Sequence, residues 1–311
     1  MGEPRESRIG PWLVASGAAL WGTESAWRIP LNDLLANADV LVFWEHVVLV
    51  ACALPLVIPR LHELRRVSGR AIAWLLFSGI AGSAVGAVLF TLALKHGNAT
   101  VINVVLNIQP VLSTTAAVLL FGDKLAKNFP PWAAIAVIAG MVLVGLAPGL
   151  QFSVDTGVLY ALACALCWGL STVAGRAVMV EMSLPLAAGL RVIIGLVCMT
   201  IIVGAHGLLN AHDLWPAAAH AHAGKTVLWL ILLATVSGGI PLLIYFKGLE
   251  LTRASTAGYF EMMQTLAAVV ITWGFFGNAL AWWQVIAGLV LIFAVAMVQR
   301  AQEATELPTP A

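Results

Sequence analysis

Asn98 to Asp123 reads NATVINVVLNIQPVLSTTAAVLLFGD, and Arg253 to Asn278 reads RASTAGYFEMMQTLAAVVITWGFFGN. The two stretches have the same length and align without a gap at an offset of 155 residues, from 98 to 253. The matched residues are Ala99 with Ala254, Thr100 with Ser255, Gln109 with Gln264, and Phe121-Gly122 with Phe276-Gly277. Outside the stretches, Trp21-Gly22 corresponds to Trp168-Gly169, and Ile138-Ala139-Gly140 corresponds to Ile286-Ala287-Gly288. The sequence therefore predicts a chain built from two related halves.

The composition places both halves in lipid. Of 311 residues, 61% are hydrophobic and 10% are charged, and the mean hydropathy is +0.95. Water-soluble proteins are roughly half apolar and a quarter charged, so the excess apolar surface must face a bilayer. The formal net charge of +1 excludes a nucleic-acid binder, because it cannot supply the basic field that phosphate backbones require.

Ten apolar runs recur along the chain, and each is long enough to cross a bilayer as a helix of about 20 residues. They cover residues 10–29, 39–59, 71–94, 99–121, 131–148, 156–179, 185–206, 226–248, 255–276 and 281–299. We expect an all-α integral membrane protein with ten transmembrane helices, in two five-helix repeats over residues 1–150 and 151–311 of one compact membrane domain. Because five is odd, the second repeat is inverted, as in many secondary transporters, and a binding site is expected near the midplane between the halves.

The distribution of Lys and Arg predicts the orientation. One set of tails and connections holds Arg5, Arg8, Arg60, Arg65, Arg66, Arg70, Lys124, Lys127, Arg176, Lys247, Arg253 and Arg300. The opposite set is bordered only by Arg28, Lys95 and Lys225. Positively charged loops stay in the cytoplasm, so both termini are expected to be cytoplasmic.

The chain resembles a known family at specific positions. These are the early Trp-Gly of each half and the ends of the two aligned stretches, Phe121-Gly122-Asp123-Lys124-Leu125 and Phe276-Gly277-Asn278-Ala279-Leu280. In these residues it is similar to the drug/metabolite transporter superfamily, in its EamA-type ten-helix branch. It departs from the family pattern at Asp123 and Asn278, where Glu is usual, and at Trp44, where Arg is frequent.

The resemblance implies a function and a location. Members of this branch mostly export amino acids and other small metabolites, and the chain most resembles the aromatic amino acid exporters. The expected location is a bacterial-type inner membrane, and the expected mechanism is alternating access around a central cavity. The alternative substrate class is a hydrophobic drug or a lipid-like metabolite.

Trp21, Glu24 and Arg28 share one helical face of the first span. A charge inside a span costs about 3 kcal/mol on insertion scales, so Glu24 is a candidate for binding a substrate ammonium or a proton. The alternative is that Glu24 pairs with Arg28 in the favourable order, acid first and base four residues later. Glu45 and His46, at the start of the second span, are expected at the outer water interface.

Asn103, Asn107 and Pro110 lie on one face of the fourth span. Amide side chains facing lipid are costly, so this face is expected to line the cavity. Pro110 cannot donate to the carbonyl of Leu106, which predicts a kink, a free carbonyl and a hinge. Pro241 is the second predicted hinge. The alternative for the two asparagines is hydrogen bonding that only holds helices together.

The second half contributes further candidate binding residues. Trp168, the counterpart of Trp21, is expected in the cavity or at the lipid surface. Arg191 is an always-charged bidentate donor, suited to a substrate carboxylate or to a protein glutamate. The ninth span carries Tyr259, Glu261 and Gln264, of which Glu261 is the second candidate for a substrate amine or proton, or for a structural ion pair.

The sequence also predicts what the protein is not. It has no HExxH and no convincing nucleophile and base on neighbouring spans, so no enzyme activity is expected. Ala223-Gly224-Lys225-Thr226 lacks the first glycine of a phosphate loop, so ATP is not expected as a partner. The four cysteines lie in apolar runs and predict neither a metal site nor a cofactor. The expected partners are a small-molecule substrate and membrane lipid.

Overall fold

The computed structural model describes residues 9–147, 151–152, 155–251 and 260–306 and is almost entirely helical within them. The helices before residue 148 are α1 Gly10–Gly22, α2 Glu24–Leu35, α3 Ala38–Val57, α4 Gly69–Phe77, α5 Gly86–His96, α6 Ala99–Val105, α7 Gln109–Phe121 and α8 Phe129–Gly145. Those after it are α9 Thr156–Met179, α10 Leu184–Ala205, α11 Ala211–Leu214, α12 Ala217–Ala221, α13 Ala223–Ala234, α14 Ile240–Glu250, α15 Met263–Gly274 and α16 Trp282–Glu306. Two-residue strands β1 Leu146–Ala147 and β2 Gln151–Phe152 pair antiparallel between the two groups.

Several helices join end to end into longer rods. Short 3-10 segments extend α3 over Ile58–Arg66 and join α6 to α7 over Leu106–Ile108. Wide π-helical turns join α4 to α5 over Ser78–Val85 and α13 to α14 over Thr235–Gly239. These two π segments fall in the third apolar run of each predicted repeat, so they occupy corresponding positions in the sequence. Extra residues in a π turn are frequent at functional sites.

Seven of the described helical rods are long and apolar enough to cross a membrane. They are Ala38–Arg66, Gly69–His96, Ala99–Phe121, Thr156–Met179, Leu184–Ala205, Ala223–Tyr245 and Trp282–Gln302. Two further apolar helices, α8 and α15, are shorter, with 17 and 12 residues. The first apolar run is divided at Thr23 between α1 and α2. The all-helical membrane fold is confirmed, while the count of ten crossings stays a prediction.

The aligned stretches end in the same backbone conformation. Gly122 has φ +71° and Gly277 has φ +68°, both in the left-handed region that side chains with a Cβ rarely adopt. Gly122 follows the last residue of α7, and its N–H donates to the carbonyl of Val118, as at many helix C-termini. The Phe-Gly match in the sequence is therefore also a match in backbone geometry.

Elements of both halves pack together around the middle of the molecule. Helix α1 packs against α14 and α15, α10 packs against α3, and α9 packs against α5 and α7. The approach of α1 to α14 needs a small residue, because a Cβ on Gly17 would lie 2.8 Å from the Cβ of Tyr245. This interleaving leaves a polar cavity between the halves.

Two loops clamp one another at one end of the rods. Glu181 accepts hydrogen bonds from the backbone N–H and hydroxyl of Ser68, the N-cap of α4, at 2.7 and 2.8 Å. Glu63 accepts the equivalent pair from Ser183, the N-cap of α10, both at 2.8 Å. Each loop therefore completes the helix start of the other, and α4 and α10 are fixed relative to each other.

Candidate functional site

The largest cavity between the halves has a volume of about 550 Å³. It is surrounded by residues of α1, α7, α9, α10, α14, α15 and α16. Four of the predicted site residues line it together: Trp21, Arg191, Glu261 and Gln264. The hinge candidate Pro110 lines it as well, beside Gln109. We refer to this space as the central cavity.

Arg191 brings a positive charge to the central cavity. It lies in the second turn of α10, and its guanidinium rests against the π segment, where a Cβ on Gly82 would lie 2.8 Å from its Nη2. Within the described part of the chain, no hydrogen bond or ion pair joins this guanidinium to another residue. A charge at membrane depth without a protein partner is costly, so such a residue is a default candidate for binding a substrate.

An aromatic pair and a carboxylate form another wall of the central cavity. The rings of Trp21 and Tyr245 lie with centroids 4.9 Å apart, tilted by 51°. The hydroxyl of Tyr245 donates a hydrogen bond to Oε1 of Glu261. Glu261 thus has a fixed position and a neutral hydrogen-bond partner, and no cation pairs with it among the described residues. Its charge is available to a positively charged ligand.

A smaller polar space of about 160 Å³ adjoins the central cavity, and we call it the side chamber. Both spaces share Glu261, Gln264 and Gln299. The side chamber also contains the remaining predicted residues of the first half of the fourth span, Asn103 and Asn107, and it contains Trp168. Seven of the nine predicted binding residues therefore line two connected spaces at the centre of the molecule, namely Trp21, Asn103, Asn107, Trp168, Arg191, Glu261 and Gln264.

The kink of the fourth span differs from the predicted one. The 3-10 segment Leu106–Ile108 precedes Pro110, and within it the N–H of Gln109 donates to the carbonyl of Leu106. The prediction that this carbonyl is left free is therefore wrong, because the tighter turn supplies a new donor. The side-chain amide of Asn107 donates to the carbonyls of Asn103 and Val104, at 3.1 and 3.0 Å. The carbonyl groups around the break are satisfied by the chain itself.

Trp168 has its polar atom fixed by the neighbouring π segment. Its indole N–H donates to the carbonyl of Gly82 at 3.0 Å, and its ring lies 5.4 Å from that of Phe90. Pro241, the other hinge candidate, is buried in the first turn of α14, directly after the second π segment. Tyr259 lies outside the described residues.

Glu24 lies in a buried ionic cluster and not among the residues lining the two spaces. Nε and Nη2 of Arg28 donate to Oε1 of Glu24 at 2.9 and 2.5 Å, and Nη2 also donates to both oxygens of Glu45 at 2.8 and 2.9 Å. Nη1 donates to the hydroxyl of Thr91 at 2.7 Å. We call these four residues the Arg28 cluster. Arg28 is only 1% exposed, yet it has partners on α2, α3 and α5.

The expected position of Glu45 and His46 at the outer water interface is wrong. Glu45 is 8% exposed and His46 is 2% exposed. The two ring nitrogens of His46 lie 2.8 Å from the carbonyl of Val42 and 2.9 Å from the hydroxyl of Ser83. The position of these two residues near the start of the span suggested exposure to water. Instead, Arg28 on α2 and Ser83 on the π segment hold both side chains in the interior.

The central cavity continues into a vestibule of about 500 Å³, with which it shares Ser113 and Thr172. Asp123 and Arg176 face each other in the vestibule, with Nη1 of the arginine 3.1 Å from Oδ2 of the aspartate. The vestibule lies at the end of the molecule where the charge pattern predicts the cytoplasm. A path therefore leads from that face to Arg191 and Glu261.

The rim of the vestibule carries Glu181, which belongs to the clamp with Ser68. The backbone N–H of Ser68 and then its hydroxyl lower the pKa of Glu181 from its ordinary value, because both hydrogen bonds favour the ionised carboxylate. This carboxylate is consequently ionised at neutral pH and holds the loop that borders the entrance.

Sequence reasoning missed two residues of the site. Gln299, on α16, lines both the central cavity and the side chamber, and its Oε1 is buried without a partner among the described residues. Tyr245, on α14, positions Glu261. The signal for Gln299 was a polar residue within the last apolar run. The signal for Tyr245 was a tyrosine four residues after Pro241, in a span with few other polar groups.

Comparison with known proteins gives three findings. The model of the EamA-like transporter family matches this chain twice, over residues 8–146 and 155–300. A protein of Fusobacterium nucleatum subsp. nucleatum named riboflavin transporter ImpX is 24% identical over 307 residues, which cover 94% of this chain and 97% of that protein. A crystal structure at 20% identity aligns with a TM-score of 0.54 over 93% of this chain and 96% of the other, a likeness in fold alone.

Proposed function

Because the chain belongs to the EamA-like transporter family, we propose that it exports amino acids, including aromatic ones, by alternating access. Family membership makes the protein a multi-pass membrane transporter of small molecules and not an enzyme. The choice of substrate depends chiefly on one observation. Arg191, unpaired among the described residues, and Glu261 line the same cavity as an aromatic pair.

An amino acid complements these groups in charge and shape. Its carboxylate suits the planar guanidinium of Arg191, which donates two parallel hydrogen bonds. Its ammonium suits Glu261, and an aromatic side chain suits the faces of Trp21 and Tyr245. The volume of about 550 Å³ falls within the range of roughly 300–1,000 Å³ that small-molecule sites occupy.

The remaining predicted residues have lesser roles in the proposed mechanism. Asn103, Asn107, Gln264 and Trp168 surround the polar end of the substrate in the side chamber. Tyr259, which lies outside the described residues, stays a predicted aromatic contact. Between the two carboxylates, the geometry favours Glu261 over Glu24 for the ammonium, because Glu24 is already paired with Arg28.

Alternating access is proposed to arise from the two halves, residues 1–150 and 151–311, as inverted repeats with ten crossings. The double match to one family model and the shared turn at Gly122 and Gly277 support this arrangement. Pro110 and Pro241 act as hinges beside a 3-10 turn and a π turn. The vestibule supports an inward-facing state, in a bacterial-type inner membrane with both termini in the cytoplasm.

A flavin is a second candidate substrate, since one relative is named as a riboflavin transporter. A flat ring system could stack on Trp21, and its carbonyl groups and ring nitrogens could bond to Arg191, Gln109 and Gln264. A hydrophobic drug or lipid-like metabolite fits less well, because it supplies no counter-charge for Arg191 or Glu261.

Counterflow in proteoliposomes tests the proposal. Vesicles holding the purified protein and an unlabelled compound are offered trace labelled phenylalanine, tryptophan, leucine, riboflavin or a hydrophobic cationic dye, with and without a pH gradient. We expect uptake of the aromatic amino acids and about tenfold slower uptake by Glu261→Gln, which loses one charge-assisted interaction. Uptake of riboflavin alone would establish the flavin reading, and uptake of the dye alone would establish the drug reading.

A further inference from the structure

The side chamber presents mostly hydrogen-bond acceptors to whatever enters it. The amide nitrogen of Asn103 donates to the hydroxyl of Ser25 at 3.0 Å and to the carbonyl of Ala99 at 2.8 Å. A carbonyl can only accept, so the amide orientation is fixed. The other end of the same amide, Oδ1, has no partner within the described part of the chain.

Three further residues around the chamber have their donors engaged as well, while no described residue accepts from the amide nitrogens of Gln264 and Gln299. The hydroxyl of Thr265 donates to Oδ1 of Asn107 at 2.7 Å, and the amide nitrogen of Asn107 donates to two backbone carbonyls. The indole N–H of Trp168 donates to Gly82. These three residues line the chamber, yet none of their N–H or O–H groups is turned toward an incoming ligand.

Glu261 and Gln299 each present an unpaired acceptor on the wall between the side chamber and the central cavity. Oε1 of Gln299 is inaccessible to water and has no partner among the described residues, which is costly for a buried polar atom. Glu261 uses Oε1 to accept from Tyr245, and no described residue donates to Oε2. Together with Oδ1 of Asn103, they give three free oxygens around about 160 Å³.

The carboxylate of Glu261 and the unpaired amide oxygens of Asn103 and Gln299 favour a ligand that donates hydrogen bonds, or a small hard cation. An ammonium has three donors and no acceptor. A monovalent metal cation takes carbonyl and carboxylate oxygens in the same way. A carboxylate would find no free donor on Asn103, Asn107, Thr265 or Trp168, while it has Arg191 in the central cavity.

We propose that the side chamber is a subsite for a monovalent cationic group, in which Gln299 and Asn103 act with Glu261. The inference depends on the proposed function for its first source of the group, the ammonium of a zwitterionic substrate. A free sodium ion is the second source, with the same chemistry. Gln299 is thus assigned a role in substrate selection that its position at the end of the last span did not indicate.

The experiment compares phenylalanine with 3-phenylpropionate, which keeps the carboxylate and the ring but lacks the ammonium. Counterflow of both compounds is measured in sodium and in choline buffers for wild type and Gln299→Leu. We expect wild type to prefer phenylalanine by about tenfold, the worth of one charge-assisted hydrogen bond. In Gln299→Leu we expect this preference to fall toward unity, because counterflow of phenylalanine slows while counterflow of 3-phenylpropionate does not.

Matched variants separate binding from folding. Gln299→Glu keeps an acceptor and is expected to retain the preference, while Arg191→Met is expected to slow both compounds equally. Thermal melting of Gln299→Leu in detergent is expected to match wild type, because the change removes an unsatisfied buried acceptor.

The outcomes distinguish the substrate ammonium from sodium, and they test the subsite separately from the proposed export function. A lost preference identifies the substrate ammonium, and a sodium dependence that disappears in Gln299→Leu identifies sodium. If wild type moves phenylalanine and Gln299→Leu changes neither quantity, the subsite is overturned while the proposed function stands. If wild type moves neither compound, the proposed function is overturned, and the ammonium source with it.

Discussion

Arg28 and Arg191 are two arginines inside apolar runs of the sequence, and their surroundings in the structure differ. Arg28 donates to Glu24, Glu45 and Thr91 and is 1% exposed. Arg191 lines the central cavity and has no protein partner within the described residues. A buried charge that is fully paired holds helices together, whereas an unpaired one in a cavity is available to a ligand. The presence or absence of protein partners therefore distinguishes a structural arginine from a candidate transport arginine better than depth in the membrane does.

Arg28→Met is expected to have the largest effect. The change leaves two buried carboxylates without a counter-charge, and breaking a buried pair in this way costs about 3–5 kcal/mol. We expect a poor yield of folded protein and a lower melting temperature in detergent, measured by fluorescence-detected size exclusion after heating.

The matched control for Arg28 is the neutral triple variant Glu24→Gln/Arg28→Met/Glu45→Gln. It removes all three charges together, so most of the lost stability should return. An Arg28→Met protein that melts with wild type would show that the cluster does not hold α2, α3 and α5 together.

Arg191→Met tests the other side of the contrast. It removes a charge without a described protein partner, so the melting temperature should stay equal or rise. Transport of a carboxylate substrate should fall by about 10- to 100-fold, the value of one or two hydrogen bonds to a charged group. Arg191→Lys should recover part of the rate, because a lysine keeps the charge without the bidentate geometry. If Arg191→Met lost stability while its counterflow stayed normal, Arg191 would be a structural residue and not a substrate contact.

Glu24→Gln tests whether Glu24, which is paired with Arg28, contributes to substrate binding as Glu261 is proposed to do. Glu45 still neutralises Arg28 in this variant, and glutamine can still accept from the guanidinium. We therefore expect a stability loss of about 1 kcal/mol and counterflow within about twofold of wild type. A large loss of counterflow with an unchanged melting temperature would instead make Glu24 a substrate contact.

Glu181→Gln should have the smallest effect, since this carboxylate is at the water interface and not in a span. Its pKa lies below the ordinary 4.5, so the folded state is favoured by ionisation. That contribution is present above pH 4.5 and disappears as the pH falls through the lowered pKa. The melting temperatures of wild type and Glu181→Gln should differ at neutral pH and converge in acid. A difference that persists in acid would mean that Ser68 is held by other contacts.

The sequence predicted the parts of the fold that depend on local pattern. Apolar runs predicted the helices, and the left-handed turns at Gly122 and Gly277 fall where the two aligned stretches share Phe-Gly. The pair of Glu24 with Arg28 also followed from spacing, because residues four apart share a helical face. Glu45 and Thr91 could not be assigned to that pair, since they come from other helices and no local rule relates their positions.

The site was predictable only as a set of separate candidates. Polar residues deep in apolar runs singled out Arg191, Glu261 and the two asparagines of the fourth span. Which of them meet was not predictable, because Tyr245 reaches Glu261 from another helix and Gln299 enters the cavity from the end of the chain. The free carbonyl expected before Pro110 failed because a 3-10 turn, which the sequence does not signal, satisfies it.

The paired turns at Gly122 and Gly277 bear on how such a molecule can originate. A left-handed glycine depends on φ and not on its surroundings, so the same turn serves on either face of a bilayer. What differs is the charge that follows, with Lys124 and Lys127 after the first turn and Ala279 to Ala281 after the second. In the proposed inverted arrangement, a few lysines set the direction of insertion. A duplicated ancestral half would then need only a handful of surface substitutions to insert upside down, with its internal architecture already complete.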